Sequence, residues 1–202
     1  MVDRAIAKII LKGFTETQLR IEEITMFNKI LVAIDRSAAS RKVFETAMSL
    51  AKTTGASLML LHVLSSEERD FPTPTIYSGL EYDPFDSTLI EAYEAKWQKF
   101  EQQGLKMLRG TAEEAIAAGV KTEFTQTEGN PGRTICDLAQ TWTADLIVVG
   151  IRGRTGIKEM FLGSVSNYVT HHAPCSVLIV HQTNNPDPQL LANEQELTSS
   201  AA

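Results

Sequence analysis

Short apolar runs alternate along the chain with longer segments in which apolar residues recur every three or four positions. The apolar runs, typical of strands, lie at residues 27–34, 57–63, 120–127, 144–149 and 175–180. The helical segments between them lie at residues 38–53, 87–118, 133–143 and 164–172. In the longest of these, the stripe that begins with Ile90, Tyr93, Trp97 and Phe100 is expected to face the core. The alternation predicts an α/β fold with a parallel sheet and helices on both faces.

Three parts of the chain depart from this alternation. Residues 1–25 precede it and predict an N-terminal extension with a short amphipathic helix, which packs on the domain or is disordered. Contact of this extension with a dimer partner or a membrane surface is the alternative. Residues 65–86 contain three prolines and predict a long loop, and residues 183–202 are polar and predict a disordered tail. We therefore expect a single domain over residues 26–182.

Charge and composition exclude several classes of protein. The formal net charge of the 202 residues is −6, which disfavours a uniformly basic nucleic-acid surface. No segment reaches the roughly 18 apolar residues of a membrane span, and the N-terminus lacks a signal-peptide pattern. Cys136 and Cys175 stand outside any zinc-binding spacing, and we expect both thiols to be buried. A cytoplasmic protein is the expectation.

The segment most informative about chemistry is residues 144–167, which predicts a strand, a glycine-rich loop and a helix. Two residues separate Gly150 from Gly153, nine separate Gly153 from Gly163, and Ser164 directly follows the third glycine. Glycines allow a ligand to approach the backbone closely, and a helix N-terminus offers free N–H groups to phosphate. Ser164 is expected to cap the helix and to donate its hydroxyl. The spacing is not that of a Walker A loop.

The charges of this loop also favour an anionic ligand. Arg152, Arg154 and Lys158 are opposed in the loop only by Glu159. A basic loop in an acidic protein favours binding of a polyanion. Solvated charges that serve solubility are the alternative.

The pattern G-x2-G-x9-G-S at residues 150–164 resembles the ATP-binding pattern of the universal stress protein family. The fragments ILVAIDRS, LLHV, EGNPGRTI and PCSVLIV extend the resemblance, in order, over residues 27–181. The resemblance implies a Rossmann-like, open, five-stranded parallel sheet of order 3-2-1-4-5. The first and fourth strands are then neighbours where the chain changes direction, which is where ligands bind in such sheets.

The resemblance also implies the ligand and the residues of the base and ribose site. The ligand is ATP, with or without Mg²⁺, and AMP or ADP are the alternatives. Ala33 and Asp35 face adenine and ribose, and Val63 offers backbone contacts to the adenine edge. A simple helix N-terminal acid is the other interpretation of Asp35.

The remaining implied residues belong to the phosphate site and its surroundings. The phosphates are held by Gly150, Gly153, Gly163, Ser164 and Val165. Arg152 is expected at the ribose or the phosphates, and Pro131 lies in a loop at the same end of the sheet.

No catalytic residue and no metal ligand of the protein is predicted. His62 is interpreted as a buried core histidine, and His171 and His172 as structural residues at the end of the last helix. We expect a stress-response regulator whose nucleotide occupancy alters dimerisation or partner contact. Slow ATP hydrolysis or autophosphorylation, and a scaffold that needs no nucleotide, are the alternatives. The resemblance implies a homodimer through the last strand, residues 175–180, which would cover an apolar sheet edge.

Overall fold

The computed structural model describes residues 27–68, 70–73, 87–151 and 162–181. The predicted N-terminal extension, most of the 65–86 loop, and the predicted tail lie outside these residues. Arg152 and Gly153 of the glycine-rich loop also lie outside them.

Strand and helix alternate through the described residues, as predicted. The strands are β1 (Lys29–Ala33), β2 (Ser57–Leu64), β3 (Thr122–Glu128), β4 (Leu146–Gly150) and β5 (Ser176–Val180). The helices are α1 (Ala39–Thr54), α2 (Ser87–Ala117), α3 (Pro131–Trp142) and α4 (Ser164–His172). None of the described helices is long and apolar enough to cross a membrane.

The five strands form one parallel sheet of order β3-β2-β1-β4-β5, which confirms the predicted fold class. β1 pairs with β2 up to Ala33 and Leu61, whereas β2 continues to pair with β3 as far as Leu64. On its other side, β1 pairs with β4 only as far as Val32. The central strand therefore stops before its neighbours do, which leaves a depression at the carboxyl edge of the sheet.

Helices cover both faces of the sheet, because successive strand side chains point to opposite faces. On one face, Val32 of β1 packs in a buried cluster with Phe44 of α1 and Leu108 of α2. On the other face, Leu31 belongs to a cluster that includes Ile135 of α3 and Val169 of α4. Burial on both faces explains why the central strands consist mainly of apolar residues.

The prediction that the whole aromatic stripe of α2 faces the core is wrong at its start. Phe100 is 2% exposed, but Ile90 is 46% exposed. α2 has 31 residues and is about 46 Å long, whereas β2 has eight residues and spans about 26 Å. The first turns of α2 therefore extend past the strands that its later turns cover.

Candidate functional site

The described residues enclose a cleft at the carboxyl edge of the sheet, above the point where β1 ends between β2 and β4. Its empty space, including the open mouth, is about 720 Å³. The residues predicted from the sequence that line it are Ala33, Asp35, Val63, Gly150, Gly163, Ser164 and Val165. Pro131 and Ile151 also line the cleft. The structure thus gathers every described member of the predicted set around one space.

Asp35 stands at the end of β1 in a fixed orientation. Its Oδ1 accepts hydrogen bonds from the backbone N of Ser37 at 2.9 Å and from the Ser40 hydroxyl at 2.7 Å. The Ser37 hydroxyl donates to the same oxygen. Aspartate commonly orders a turn by bonding the backbone two residues on. Because α1 begins only at Ala39, Asp35 organises the loop before that helix and its carboxylate is held at the cleft.

The backbone of Val63 faces the cleft. Ser57 N donates to Asn28 O, and Ile34 N donates to Leu61 O, so the odd-numbered residues of β2 direct their peptide groups towards β1. Val63 has the same parity and lies beyond the last pair between the two strands, Ala33 and Leu61. Its N–H and C=O therefore point into the space that β1 leaves open.

The N-terminus of α4 forms the opposite end of the cleft, which we call the α4 end (Gly150, Gly163 and Ser164). The prediction that Ser164 caps the helix is wrong. Gly163 is the N-cap residue, and no side chain of the described residues caps the helix. Ser164 is the first helical residue, and its hydroxyl donates to Glu67 Oε2 at 3.2 Å. The first-turn N–H groups of such a helix have no partner within the helix.

Gly150 has a packing role that the sequence did not reveal. A Cβ added at this glycine would lie 2.8 Å from Cγ2 of Val43 in α1, closer than carbon atoms pack. The missing side chain therefore allows α1 to approach the end of β4, apart from any approach of a ligand.

The other end of the cleft, which we call the β2 end (Val63, Ser65 and Glu68), contains two residues that the sequence analysis missed. Ser65 and Glu68 both line the cleft. They belong to the acid-rich turn SSEE directly after β2. That turn follows a buried strand at the carboxyl edge of the sheet, and this position was the available signal.

Glu68 is tied to a buried histidine. His62 is fully buried, which confirms it as a core histidine. Its Nε2 lies 2.6 Å from Glu68 Oε1, and its Nδ1 lies 3.0 Å from Gln126 Oε1. The amide nitrogen of Gln126 donates to the carbonyl of Glu101 at 3.1 Å, so its oxygen is the atom that faces the ring. Both ring nitrogens of His62 therefore face oxygen acceptors.

This arrangement favours the charged form of the histidine. Burial lowers the pKa of His62, but the hydrogen bonds to Glu68 and Gln126 outweigh burial, and its pKa lies above the ordinary value. An imidazolium that donates from both nitrogens fits the two acceptors. The β2 end thus contains an ion pair within the core.

Two polar atoms at the β2 end have no partner among the residues that the structure describes. Neither the hydroxyl of Ser65 nor Oε2 of Glu68 has a hydrogen bond within the part of the chain that the structure describes, and both atoms are buried. Buried polar atoms without partners are rare and unfavourable, by about 1–3 kcal/mol each. A hydrogen-bond donor on a bound ligand would satisfy either atom.

The described residues show no group suited to metal or thiol chemistry. They contain no cluster of three or more His, Cys, Asp or Glu residues that could hold a metal ion. Cys136 is buried as predicted, whereas Cys175 is only partly buried. Burial raises the pKa of both thiols, which lowers their reactivity.

The sequence of the chain is similar to a known family over most of its length. The family model described as the universal stress protein family matches residues 26–181. Universal stress protein Sll1388 of Synechocystis sp. is 36% identical over 154 residues, which are 76% of this chain and 97% of that protein. Universal stress protein YxiE of Bacillus subtilis is 41% identical over 155 residues, which are 77% of this chain and 99% of that protein.

Solved structures share the fold. The protein MJ0577 superposes with a TM-score of 0.60 at 22% identity, over 79% of this chain and 99% of that one. A universal stress protein in complex with cAMP superposes with a TM-score of 0.50 at 26% identity, over 78% of this chain and 98% of that one. The family match over most of the chain, the two relatives above 30% identity and the shared sheet order lead to one conclusion: the chain belongs to the universal stress protein family.

Proposed function

We propose that this protein binds an adenine nucleotide in the cleft and acts as a nucleotide-dependent regulator. The observation that carries the proposal is the convergence of three features on one space. These are the oriented carboxylate of Asp35, the backbone of Val63 beyond the last pair with β1, and the N-terminus of α4. Each supplies a different kind of contact, and a nucleotide is a ligand that needs all three.

The order of these features along the cleft suggests how the nucleotide lies. β2 and β4 flank β1, so their ends are about 10 Å apart at the ordinary strand spacing. The base lies at the β2 end, where the N–H and C=O of Val63 contact its edge and Ala33 lies beneath it. The ribose lies at the middle, where Asp35 accepts from its hydroxyls. The phosphates lie at the α4 end.

The α4 end supports the assignment of the phosphates. Helix N-termini bind anions through free N–H groups and the helix dipole, and Ser164 adds a hydroxyl. Gly150, Gly163 and Val165 line the same part of the cleft. Arg152 and Gly153 follow Gly150 along the chain, and we propose that they complete the phosphate site.

We propose ATP, with or without Mg²⁺, as the ligand. The complex of the related universal stress protein with cAMP supports an adenine nucleotide here. AMP and ADP share the base and ribose, so a comparison of the three nucleotides measures what the additional phosphates contribute.

Regulation through self-association is part of the proposal. β5 is an edge strand of the sheet, and its Val177, Leu178 and Ile179 are only partly buried. An uncovered edge with apolar side chains favours pairing with another strand. A second copy of the chain would cover it, and nucleotide binding in the adjacent cleft would alter that contact.

Calorimetric titration of nucleotide-free protein with ATP, ADP and AMP, with and without Mg²⁺, tests the proposal. Asp35→Asn keeps the size of the side chain but removes the charge that accepts from ribose. We expect a loss of affinity of about tenfold or more, since a hydrogen bond to a charged group contributes about 1.5–3 kcal/mol.

Asp145→Asn is the matched control. Asp145 lies at the amino edge of the sheet, where its Oδ2 accepts from the backbone of Asn28 and Lys29. This variant should bind like the unaltered protein. If the folded, unaltered protein binds none of the three nucleotides, the proposal fails and a nucleotide-independent scaffold becomes the better account. Phosphate release during the titration would point instead to an ATPase.

A further inference from the structure

We propose that Glu68 reads the base, by accepting a hydrogen bond from an exocyclic amino group, so that the cleft prefers 6-aminopurine nucleotides to 6-oxopurine nucleotides. The inference rests on the proposed nucleotide function and deepens it. It is carried by one carboxylate oxygen of Glu68 at the β2 end of the cleft, Oε2, which has no hydrogen-bond partner among the described residues.

The state of Glu68 follows from its neighbours. One carboxylate oxygen, Oε1, lies 2.6 Å from Nε2 of His62. The other ring nitrogen of His62 faces the oxygen of Gln126, whose amide nitrogen is committed to the carbonyl of Glu101. Because Nδ1 donates to Gln126, Nε2 donates to Glu68 only in the charged imidazolium, which the raised pKa of His62 favours. Oε1 of Glu68 is then the acceptor of this hydrogen bond. The second carboxylate oxygen, Oε2, is then an acceptor only.

An acceptor-only group at this position discriminates between bases. The amino group of adenine carries two N–H donors, so one can bond the carbonyl of Val63 while the other bonds Glu68. The carbonyl oxygen of hypoxanthine or guanine would face the carboxylate as a second acceptor, without a proton between them. A site that hydrogen-bonds one ligand leaves its buried groups unpaired with the analogue that lacks the donor.

The position of Glu68 is fixed, which selectivity requires. Its side chain is 4% exposed, and its backbone N donates to Ser65 O at 3.0 Å. The neighbouring Glu67 points to the α4 end, where it accepts from Ser164. The hydroxyl of Ser65 also lacks a described partner, but a hydroxyl can donate or accept and so cannot select between the two bases.

The test compares ATP with ITP, which differ at the 6-position of the base. The unaltered protein should bind ATP at least about tenfold more tightly than ITP, the effect of one hydrogen bond to a charged group. Glu68→Gln keeps the length of the side chain. Its oxygen can still accept from His62, which turns the amide nitrogen towards the position of Oε2. The variant then donates a hydrogen bond where Glu68 accepts one, which favours the 6-oxo group of ITP. The ratio of the ATP affinity to the ITP affinity should therefore fall by at least about tenfold.

Glu67→Gln is the matched control, because it makes the same chemical change one residue away. It should leave the ATP-to-ITP ratio unchanged. If Glu68→Gln weakens ATP and ITP equally, Glu68 has a structural role only and the inference is wrong. It is also wrong if the unaltered protein binds ATP and ITP equally, although nucleotide binding itself would then stand. Binding of neither nucleotide would overturn the proposed function, and the inference with it.

A second measurement needs no variant and decides the matter if Glu68→Gln does not fold. The carboxyl ¹³C resonance of Glu68 is followed by NMR during titrations with AMP and with the 6-unsubstituted purine ribonucleotide. A shift that AMP produces and the unsubstituted nucleotide does not would support the contact. Equal shifts would contradict it.

Discussion

The two ends of the cleft are built in different ways. At the β2 end, Glu68 and its partner His62 are almost completely buried, and their hydrogen bonds reach through Gln126 to helix α2. At the α4 end, the bond between Ser164 and Glu67 lies at the exposed surface. Buried polar groups are strongly coupled to folding, whereas exposed charges contribute little to it. Changes at the β2 end should therefore alter stability and selectivity, and changes of exposed charge at the α4 end should alter affinity alone.

The largest expected effect is on the packing behind the β2 end. Gly104 of α2 is buried against His62 and Gln126, and an added Cβ would lie 2.6 Å from Nδ1 of the histidine and collide with the amide oxygen of Gln126. Gly104→Ala should therefore lower the free energy of unfolding by about 1–3 kcal/mol. Denaturant unfolding measures the change.

The same helix supplies the control for this prediction. Gly110 is exposed, and a Cβ added there would meet no atom within 4 Å. Gly110→Ala should raise the free energy of unfolding by up to about 1 kcal/mol, because alanine favours helix over glycine. If both variants are stabilised, the histidine cluster is not tightly packed and the contrast between the two ends is weaker than the structure indicates.

A smaller effect should appear as a dependence of stability on pH. Burial opposes the charge on His62, but Glu68, Gln126 and the nearby Asp35 raise its pKa above 6.5. The contribution of His62 to the free energy of unfolding is fully present below about pH 6.5, where the histidine of the unfolded chain is also protonated. This contribution is lost as the pH rises through the pKa of His62 in the folded protein. The free energy of unfolding should therefore fall above pH 6.5, by at most about 1.4 kcal/mol per pH unit.

His62→Gln isolates this contribution, since the remaining titratable groups are common to both proteins. Unfolding by urea at a series of pH values should give a difference between the two proteins that shrinks as the pH rises from 6.5. A constant difference would mean that folding leaves the pKa of His62 unchanged, and a growing difference would mean that the folded protein favours neutral His62. Either result would contradict the assignment of a charged pair at the β2 end.

The contrast between the ends also explains what the sequence could and could not predict. Strand periodicity predicts the strands, and the glycine spacing predicts that Gly163 and Ser164 lie at the start of α4. The order of the strands in the sheet followed from the family resemblance rather than from periodicity. The pairing of His62 with Glu68 crosses from a strand to the turn after it, and periodicity carries no information on such a contact. Neither does it reveal that Gly104 makes room for the pair.

Two failures have the same physical origin. Ser164 was expected to cap α4, but Gly163 takes the N-cap position and the serine hydroxyl finds Glu67, which is 97 residues away in the sequence. Ile90 was expected in the core, but the length of α2 exceeds that of the strands beneath it. Local patterns give the type of an element, whereas the partner of a side chain depends on where distant segments end.

The smallest expected effect concerns charge at the α4 end. Glu67 Oε2 accepts from Ser164 at the N-terminus of α4, where we propose that the phosphates bind. A carboxylate at this position repels phosphate and competes for the hydroxyl. Glu67→Gln should therefore raise the affinity for ATP by about two- to fivefold, the size of an exposed charge interaction. The gain for adenosine, which carries no phosphate, should be absent.

Salt and a remote charge change distinguish this local effect from one of net charge. The gain in ATP affinity should shrink at 0.5 M salt. The Debye length is then about 4 Å, so salt screens the repulsion between Glu67 and the phosphates. Glu113→Gln on the exposed face of α2 raises the formal net charge of −6 by the same one unit and should leave ATP affinity unchanged. An equal gain from both variants would show that the whole acidic surface, rather than Glu67, opposes the nucleotide. An equal gain for adenosine would place the effect away from the phosphates, and the assignment of the α4 end as the phosphate site would have to be abandoned.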